Sequence, residues 1–354
     1  MLQQTQVATV VPYFERFLST FPTATDLANG SEHDVLRLWE GLGYYRRARQ
    51  LHKAAQEIAS RFDGTFPTSF DDVLSLPGIG RYTAGAILSI ARDQPFPILE
   101  GNTVRLHSRL LNLQEDVQTT HGQRVLWSFA EQLVTRHQPG ELNQALMELG
   151  SQVCTPKQPQ CLACPVAVHC RGLAAGQVEQ LPRTKKSMKY EDRHEVAIVI
   201  ADDGHYLMRQ CGPDDRWAGL WDFCRFIAPP AVSAEEDASI HPTSFNRETL
   251  DKTATAHTGY SVRTKEHLLQ LKHAVTRYRI RLDCFHAELA SQRAARKARA
   301  AILPTLKKDG DSSPPKTTIP QGSTWAWIHK DQLDELPLSV TGRKISNHLQ
   351  RTKR

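Results

Sequence analysis

The sequence lacks any apolar run approaching the roughly 20 residues that a membrane-spanning helix needs. Its first residues, MLQQTQV, lack the basic stretch and apolar segment that are typical of a secretory signal. It also has no internal repeats. These absences predict a cytoplasmic protein that contacts no membrane.

The chain of 354 residues is long enough for about two domains. Apolar residues make up 40% of it, and its formal net charge is +6. A basic balance suits a nucleic acid or another anionic surface, but it is equally compatible with an ordinary soluble basic enzyme. Seven cysteines in a cytoplasmic chain favour metal binding or chemistry over disulfides.

The residue pattern changes near residue 170. Apolar residues recur at helical spacing before that point, whereas later segments such as Val196–Ile200 are strand-like. We therefore predict a mainly α domain over residues 1–170, a linker over 171–193 and an α+β domain over 194–354. Residues 287–322 are rich in Ala, Arg and Lys, then in Gly, Ser and Pro, and predict a flexible basic insertion. A solvated loop is favoured there over a DNA tether.

A glycine-containing turn, Leu76-Pro-Gly-Ile-Gly80, lies between two helical stretches. Pro77 is expected to end the first helix, and Gly78 and Gly80 allow positive φ. Amides of the turn and of the next helix could then bind a DNA backbone phosphate without reading sequence. Such a turn alone is weak support, but the longer segment LPGIGRYTAGAI resembles the helix–hairpin–helix motif of base-excision DNA glycosylases.

Four cysteines lie within 17 residues, separated by six, two and five residues: Cys154, Cys161, Cys164 and Cys170. Zinc is one candidate for this loop, residues 154–170, because four-cysteine zinc sites also use a C-x2-C pair. Zinc ribbons normally have two such pairs, and closely spaced thiolates also suit a [4Fe–4S] cluster. The spacing resembles that of the endonuclease III and adenine-glycosylase branch. This resemblance implies a structural [4Fe–4S] cluster that supports a basic loop against DNA.

Several further segments resemble the adenine glycosylases that remove adenine opposite 8-oxoguanine. The resemblance implies a helix–hairpin–helix domain with an iron–sulfur loop, followed by a nudix-like mismatch-recognition domain. It implies hydrolysis of the adenine N-glycosidic bond in duplex DNA that contains A:8-oxoguanine or A:G mismatches. We expect a nucleoid-associated monomer. The segments are MLQQTQV, Gly41–Arg49, Glu100–Arg105, Leu142–Gly150, Arg216–Phe223 and Thr324–Ile328.

Tyr82 separates two kinds of glycosylase. Enzymes of the endonuclease III type place a Schiff-base lysine two residues after the last glycine of the hairpin, where this chain has Tyr82. A phenol cannot form the imine that lyase chemistry needs. The sequence therefore predicts a monofunctional glycosylase, and a glycosylase/lyase is the less favoured alternative.

Extrusion of a base from a duplex requires side chains that wedge into the stack. The family resemblance assigns Gln4 and Tyr44 to intercalation, and Thr5 and Leu42 to contacts near 8-oxoguanine. For one of Tyr44 and Tyr45, packing at a helix end is the alternative.

Cleavage of an N-glycosidic bond builds oxocarbenium character, which carboxyl groups stabilise and assist by protonation. Glu100 occupies the position of the family's stabilising Asp, and Asn102 and Tyr82 are expected to hold the carboxylate and the sugar. The family's general-acid Glu lies two residues upstream of the position of Met1 and is absent here. A misassigned start is favoured. The alternative is a truncated, non-cleaving protein that binds lesions or mismatches.

Three further positions follow from the resemblance. Gln144 falls where the family contacts adenine, for which an amide is suited because it both donates and accepts. Thr276 replaces a serine of the loop that reads 8-oxoguanine, and Arg277 replaces its histidine, which weakens the expected specificity. Residues 247–259 lack the paired glutamates of a nudix hydrolase, so no nucleotide pyrophosphatase activity is expected.

Overall fold

The computed structural model divides into two compact units, Met1–Gln56 with Lys189–Arg354, and Glu57–Met188. Gln4 lies outside the described residues, as do residues 292–322 of the predicted insertion. Within the described residues, no helix is both long and apolar enough to cross a bilayer. The structure describes residues 1–3, 5–134, 138–184, 190–229, 245–291 and 324–351.

The first unit begins with helices whose starts are marked by short polar side chains. Thr23 and Ser31 each accept a hydrogen bond from a backbone amide of the first turn, which satisfies donors that the helix leaves open. Val35 and Trp39 are buried, and pack these helices together. The helices are α1 (Val7–Thr20), α2 (Ala24–Asn29), α3 (Glu32–Leu38) and α4 (Arg46–Arg61), which runs on into the second unit.

The second unit is helical, as predicted. Leu88 and Leu126 are fully buried and mark two apolar clusters between its helices. A short π-helix, Leu149–Val153, continues the last long helix into the cysteine-containing loop. The helices are α5 (Phe70–Ser75), α6 (Arg81–Arg92), α7 (Gly101–Leu111), α8 (Thr120–Val134), α9 (Pro139–Glu148) and α10 (Arg171–Ala174).

The first part of the predicted linker packs against α7. Val178 and Leu181 are buried, and both of their carbonyls accept hydrogen bonds from the Arg109 guanidinium. A Cβ on Gly172 would lie 2.6 Å from the Arg109 carbonyl oxygen, so only glycine permits this approach. These contacts attach residues 171–181 to the cysteine-containing loop.

The described residues of the first unit also form a mixed sheet of seven strands, with the order β3-β2-β1-β6-β5, and with β4 paired to β1 and β7 to β2. Strands β1 and β6 are parallel and the other pairs are antiparallel. The strands are β1 (Glu191–Asp202), β2 (His205–Gln210), β3 (Trp221–Asp222), β4 (Cys224–Ile227), β5 (Val262–Val275), β6 (Tyr278–Leu289) and β7 (Thr324–His329). The accompanying helices are α11 (Arg247–Thr258) and α12 (Val340–Arg351).

Both faces of the sheet are covered, which explains the unbroken apolar run in β1. Ile198 belongs to the cluster that contains Leu250 of α11, whereas Val199 belongs to the cluster that contains Ile345 of α12. Three tryptophans and three cysteines of this domain are buried in the core: Trp221, Trp325, Trp327, Cys211, Cys224 and Cys284. The expected α+β architecture is confirmed.

Candidate functional site

The hairpin between α5 and α6 begins where Leu76 turns to extended backbone after Ser75. Gly78 has a φ of +78°, as predicted. The prediction was wrong for Gly80, whose φ is −100°, because this residue is the extended N-cap of α6. A Cβ on Gly80 would meet no atom within 4 Å, and no side chain caps the helix. Neither a capping side chain nor an atom beside Gly80 therefore obstructs the approach of a ligand to the N-terminus of α6.

Arg81 places a positive charge directly after this hairpin. Its guanidinium carbon lies 3.9 Å from the centre of the Trp127 ring, and its Nη2 lies 2.6 Å from a carboxylate oxygen of Glu131. The side chain is about half exposed, at 48%. The ring and the carboxylate fix the direction of this cation, while its exposed part remains available to an anion.

Glu100 is the N-cap of α7. Its Oε1 accepts hydrogen bonds from the amides of Asn102 at 2.9 Å and Thr103 at 3.0 Å. The Thr103 hydroxyl accepts in return from the Glu100 amide at 2.8 Å, which completes a capping box. Among the described residues no hydrogen bond reaches the second carboxylate oxygen. A half-buried carboxylate is thus fixed through one oxygen and open through the other.

Tyr82 and Asn102 relate to this carboxylate differently. Burial, and then the negative charge of Glu100, raise the pKa of Tyr82 above its ordinary value. The Asn102 side chain instead accepts a hydrogen bond from Arg105 at 2.9 Å, so Asn102 holds the carboxylate through its backbone amide. Gln144 is exposed on α9, where its amide donates to the Gly140 carbonyl at 3.2 Å.

The four cysteines of the loop line one cavity, together with apolar side chains of α7 such as Leu106 and Leu110. Burial, and then the neighbouring thiols of Cys154, Cys170 and Cys164, raise the pKa of Cys161. In the described ranges, no three His, Cys, Asp or Glu side chains are grouped as a set that could hold a metal ion. The four thiols thus lie near one another around a shared space, without the close grouping of a formed metal site.

Arg109 of α7 holds both ends of this loop. Its Nη1 donates to the Thr155 carbonyl at 2.8 Å and lies 3.2 Å from the Cys154 sulfur, while the Cys170 thiol donates to the Arg109 carbonyl at 3.4 Å. The side chain is almost fully buried, with 1% exposed. Because every donor reaches a protein acceptor, this buried charge is well compensated.

Arg105, one turn before Arg109, connects the loop to the Glu100 end of α7. Its Nε donates to the Cys154 carbonyl at 2.7 Å, and its Nη2 donates both to the Gly150 carbonyl and to Asn102. Sequence analysis missed both arginines. Their signal was two arginines four residues apart, which places both on the same face of one helix.

The other predicted DNA contacts lie in the first unit. Tyr44 is 54% exposed, with a φ of +47°, whereas Tyr45 is buried. Of the two tyrosines, Tyr45 is therefore the one that packs inside the protein, and Tyr44 is the one exposed to solvent. Leu42 is also buried at 6% exposure. Arg47 donates to the Thr5 hydroxyl at 3.2 Å and to the Leu42 carbonyl at 3.3 Å, and it lies over the Tyr44 ring.

The turn between β5 and β6 contains Thr276, whose φ is +52°. Its hydroxyl donates to the Val275 carbonyl at 2.7 Å. Arg277 is exposed and donates to the Tyr278 hydroxyl at 2.9 Å, and the Arg193 guanidinium lies 3.5 Å from the centre of the same ring. The guanidinium carbons of Arg277 and Arg216 also lie 5.1 and 5.4 Å from the centre of that ring, so positive charge is concentrated around Tyr278.

Helix α11 occupies the segment compared above with a nudix box. Glu248 pairs with Lys252 at 2.7 Å, and Asp251 accepts a hydrogen bond from the Thr264 amide at 2.6 Å. Both carboxylates are therefore engaged within the protein. The expectation of no pyrophosphatase activity stays a prediction.

The predicted site residues thus fall into two groups. Gly78, Gly80, Tyr82, Glu100, Asn102, Gln144 and the four cysteines belong to the unit Glu57–Met188. Thr5, Leu42, Tyr44 and Thr276 belong to the other unit.

Comparison with known proteins gives two family matches. Residues 1–132 match the HhH-GPD superfamily of base excision DNA repair proteins, and residues 195–348 match the NUDIX domain.

Three similar relatives are all named adenine DNA glycosylase. The relative from Buchnera aphidicola (Schizaphis graminum) is 38% identical over 64% of this chain and 65% of its own length. The human relative is 44% identical over 68% of this chain and 44% of its own length. The Arabidopsis thaliana relative is 30% identical over 98% of this chain and 57% of its own length. The chain therefore spans less than two thirds of each of these relatives.

The relatives share one name, and the Arabidopsis match extends over both family matches. The four cysteines, the open hairpin and the capped Glu100 lie on the helical framework that these matches describe. The chain belongs to the adenine DNA glycosylase family.

Proposed function

We propose that this chain acts in base excision repair as a monofunctional adenine DNA glycosylase on duplexes with A:8-oxoguanine or A:G mismatches. The observation that carries the proposal is the carboxylate of Glu100, fixed at the N-terminus of α7 through Oε1. As the glycosidic bond breaks, positive charge develops on the sugar, and an ionised carboxylate beside it stabilises that charge. The open Oε2 is the atom assigned to this task.

Tyr82 supports hydrolysis without strand cleavage. It lies in the first turn of α6 and close enough to Glu100 for that charge to raise its pKa. A phenol beside the carboxylate can hold a sugar oxygen by a hydrogen bond, but it cannot form an imine with the sugar. Water is then the nucleophile: its oxygen bonds to the sugar carbon as the bond to adenine breaks, water loses a proton, and the leaving adenine gains one.

DNA binding is assigned to three exposed features. The hairpin amides and Arg81 suit a backbone phosphate, because both offer donors and positive charge in fixed directions. Tyr44 is an exposed ring on a loop and suits a wedge that enters the stack as the base leaves. Arg277 and Tyr278, in the turn between β5 and β6, suit the partner strand.

The loop of residues 154–170 is proposed to hold a [4Fe–4S] cluster. Four closely spaced thiols that line one cavity suit such a cluster, and their single C-x2-C pair differs from the two pairs of a zinc ribbon. When bound, the cluster supplies structural support for the loop. Arg109 would hold Cys154 and Cys170, and its charge would offset that of the thiolates.

The activity is tested with duplexes that contain A:8-oxoguanine, A:G or A:T. Adenine release from the mismatched duplexes is expected, with no strand nicking and no borohydride-trapped adduct. Tight binding without release would indicate a lesion-binding protein instead. A trapped adduct would indicate a lyase.

The cluster is tested by metal analysis of the purified protein. Stoichiometric iron and acid-labile sulfide, with brown colour, are expected. A colourless protein with one zinc per chain would contradict the cluster. Neither result depends on glycosylase activity.

A further inference from the structure

The loop that bears the proposed wedge has an unusual backbone. This wedge loop, residues 40–45, includes Gly41 at φ +99°, Gly43 at φ +68° and Tyr44 at φ +47°. Tyrosine rarely adopts such a conformation, which persists only where surrounding contacts impose it. Trp39 and Arg47 hold the middle of the loop by donating to the Gly43 carbonyl at 3.2 and 3.3 Å. The two ends of the loop, Glu40 and Tyr45, are held by the NUDIX-matched part of the chain.

Glu40, at the start of the wedge loop, is held by Arg343 of α12. Arg343 Nε lies 2.6 Å from one carboxylate oxygen of Glu40, and Nη2 lies 3.1 Å from the other. The two side chains are only 18% and 11% exposed. The Leu338 amide donates to the same carboxylate at 3.2 Å. A two-pronged arginine–carboxylate pair of low exposure fixes orientation as well as distance.

Arg343 is itself fixed by its own part of the chain. Its Nη1 donates to the Leu333 carbonyl at 2.9 Å, and its Nη2 donates to the Leu336 carbonyl at 2.7 Å. Asp334, which is 61% exposed, accepts from Nη1 at 3.0 Å. The guanidinium is therefore held in place before Glu40 meets it, so little entropy is lost in forming the pair.

Tyr45 makes a second connection at the other end of the wedge loop. Its hydroxyl donates to the Leu338 carbonyl at 3.2 Å and accepts from the Gly41 amide at 3.3 Å. Burial is the largest cause that raises its pKa to about 12, so the hydroxyl remains a donor. One phenol thus joins the Gly41 turn to the NUDIX-matched segment.

The surrounding packing is tight. Leu220, from the loop before β3, is fully buried in the cluster that contains Leu36 and Leu42. A Cβ on neighbouring Gly219 would lie 2.8 Å from Leu36 Cδ1, so that loop approaches α3 as closely as glycine allows.

We propose that the NUDIX domain holds the wedge loop in the shape that presents Tyr44 to DNA, with Arg343 as the positioning residue. The domain then contributes to base extrusion mechanically, in addition to any contact it makes with the lesion. This inference rests on the proposed function for its DNA step, but the anchoring itself can be measured without DNA.

The experiment combines amide hydrogen exchange of the wedge loop in the DNA-free chain with 2-aminopurine fluorescence in place of the target adenine. Arg343→Ala is expected to speed wedge-loop exchange and to lower the extrusion equilibrium by about tenfold, in the range of coupling between sites. Arg343→Lys should recover only part of both effects, because lysine cannot make the two-pronged contact.

The matched control is Asp334→Asn, which removes an exposed partner of Arg343 but leaves Glu40 untouched, and should change either readout by less than about twofold. If Arg343→Ala fails to fold, Tyr45→Phe is measured in its place, because this substitution deletes only a hydroxyl.

Unchanged exchange or unchanged extrusion in a folded Arg343→Ala or Tyr45→Phe protein would overturn the proposal. A wild-type chain that extrudes no base would overturn the proposed function and the extrusion role with it. Faster exchange in Arg343→Ala would then still establish the anchoring.

Discussion

At the scale of single residues, Glu100 caps a helix and is also proposed to take part in the chemistry. One carboxylate oxygen caps α7 by accepting from two amides, and in the described residues the other accepts no hydrogen bond. An N-cap side chain normally contributes about 1 kcal/mol to stability. Glutamate is one methylene longer than the family's aspartate, yet the capping box still fixes it. The longer side chain therefore does not by itself leave the carboxylate loose.

Glu100→Gln is expected to separate these tasks. The amide oxygen can still accept both hydrogen bonds, so the free energy of unfolding should change by less than about 1 kcal/mol. Adenine release should slow by about 100-fold or more, because an uncharged amide cannot stabilise the developing cation. Single-turnover base release and denaturant unfolding measure the two effects.

Glu100→Asp is the matched control, because it keeps the charge and places the family's residue at this position. It should release adenine at least as fast as the wild-type protein. A Glu100→Gln protein that matches the wild-type rate would exclude this carboxylate from the chemistry.

At the scale of elements, the hairpin uses its two glycines for different purposes. Gly78 has positive φ, whereas Gly80 has an ordinary extended backbone with open space where a side chain would stand. Glycine at position 78 allows the backbone conformation of the turn. Glycine at position 80 instead leaves space for the DNA phosphate that is proposed to bind there. A shared sequence motif does not reveal this division, since both positions read simply as glycine.

Paired alanine substitutions test this division. Gly78→Ala should destabilise the protein by about 1 kcal/mol through backbone strain. Gly80→Ala should cost less stability but should weaken binding of undamaged duplex more, because its methyl group blocks the approach of a phosphate to the amides. Thermal unfolding and fluorescence anisotropy with duplex DNA give the comparison. Equal effects of the two variants on binding would contradict it.

Helix α7 carries Glu100 at its start and both loop-holding arginines further along. Arg109→Ala should destabilise the protein by about 3 kcal/mol or more, because it leaves buried carbonyls without donors. Iron content should fall in parallel, since the same side chain holds the loop near Cys154. Denaturant unfolding and iron analysis test this.

The control is Arg92→Ala, which removes an exposed arginine from the end of α6 and should change stability by less than about 0.5 kcal/mol. Full iron content in a destabilised Arg109→Ala protein would show that the arginine serves the helix but not the loop.

At the scale of the whole molecule, sequence patterns predicted the two architectures and singled out the four cysteines as one candidate site, because each depends on local spacing. They could not predict the arginine contacts, whose partners lie far along the chain. Arg109 meets the Val178 carbonyl 69 residues away, and Arg343 meets Glu40 across 303 residues. A positive charge can satisfy carbonyls or a carboxylate anywhere in the fold, so only the folded chain identifies its partners.

Stability of the whole chain should depend on pH through Asp283, a fully buried carboxylate of β6. Burial alone would raise its pKa, but hydrogen bonds from His194, Gln270 and His267 outweigh burial and lower the pKa to about 2. A lowered pKa stabilises the fold above the unfolded value of about 3.9, and this contribution is lost as pH falls towards 2. The contribution of Asp283 to the free energy of unfolding is about 2 kcal/mol.

The free energy of unfolding in urea should therefore be lower at about pH 3 than at about pH 6 in the wild-type protein. Asp283→Asn should not show this loss of stability. Asp331→Asn, at an exposed position beside His329, is the control and should keep the wild-type pH dependence. A pH dependence that survives in Asp283→Asn would assign the effect to other carboxylates.

The division of the chain into a continuous unit, Glu57–Met188, and a discontinuous one also orders its synthesis. Every segment of the continuous unit has left the ribosome once residue 188 emerges, and domains generally fold as units during translation. Residues 1–56 must instead wait for partners made at the end of translation, such as Leu338 and Arg343. The ribosome thus completes the half that contains the cysteine loop and Glu100 first, and the wedge loop gains its anchors last.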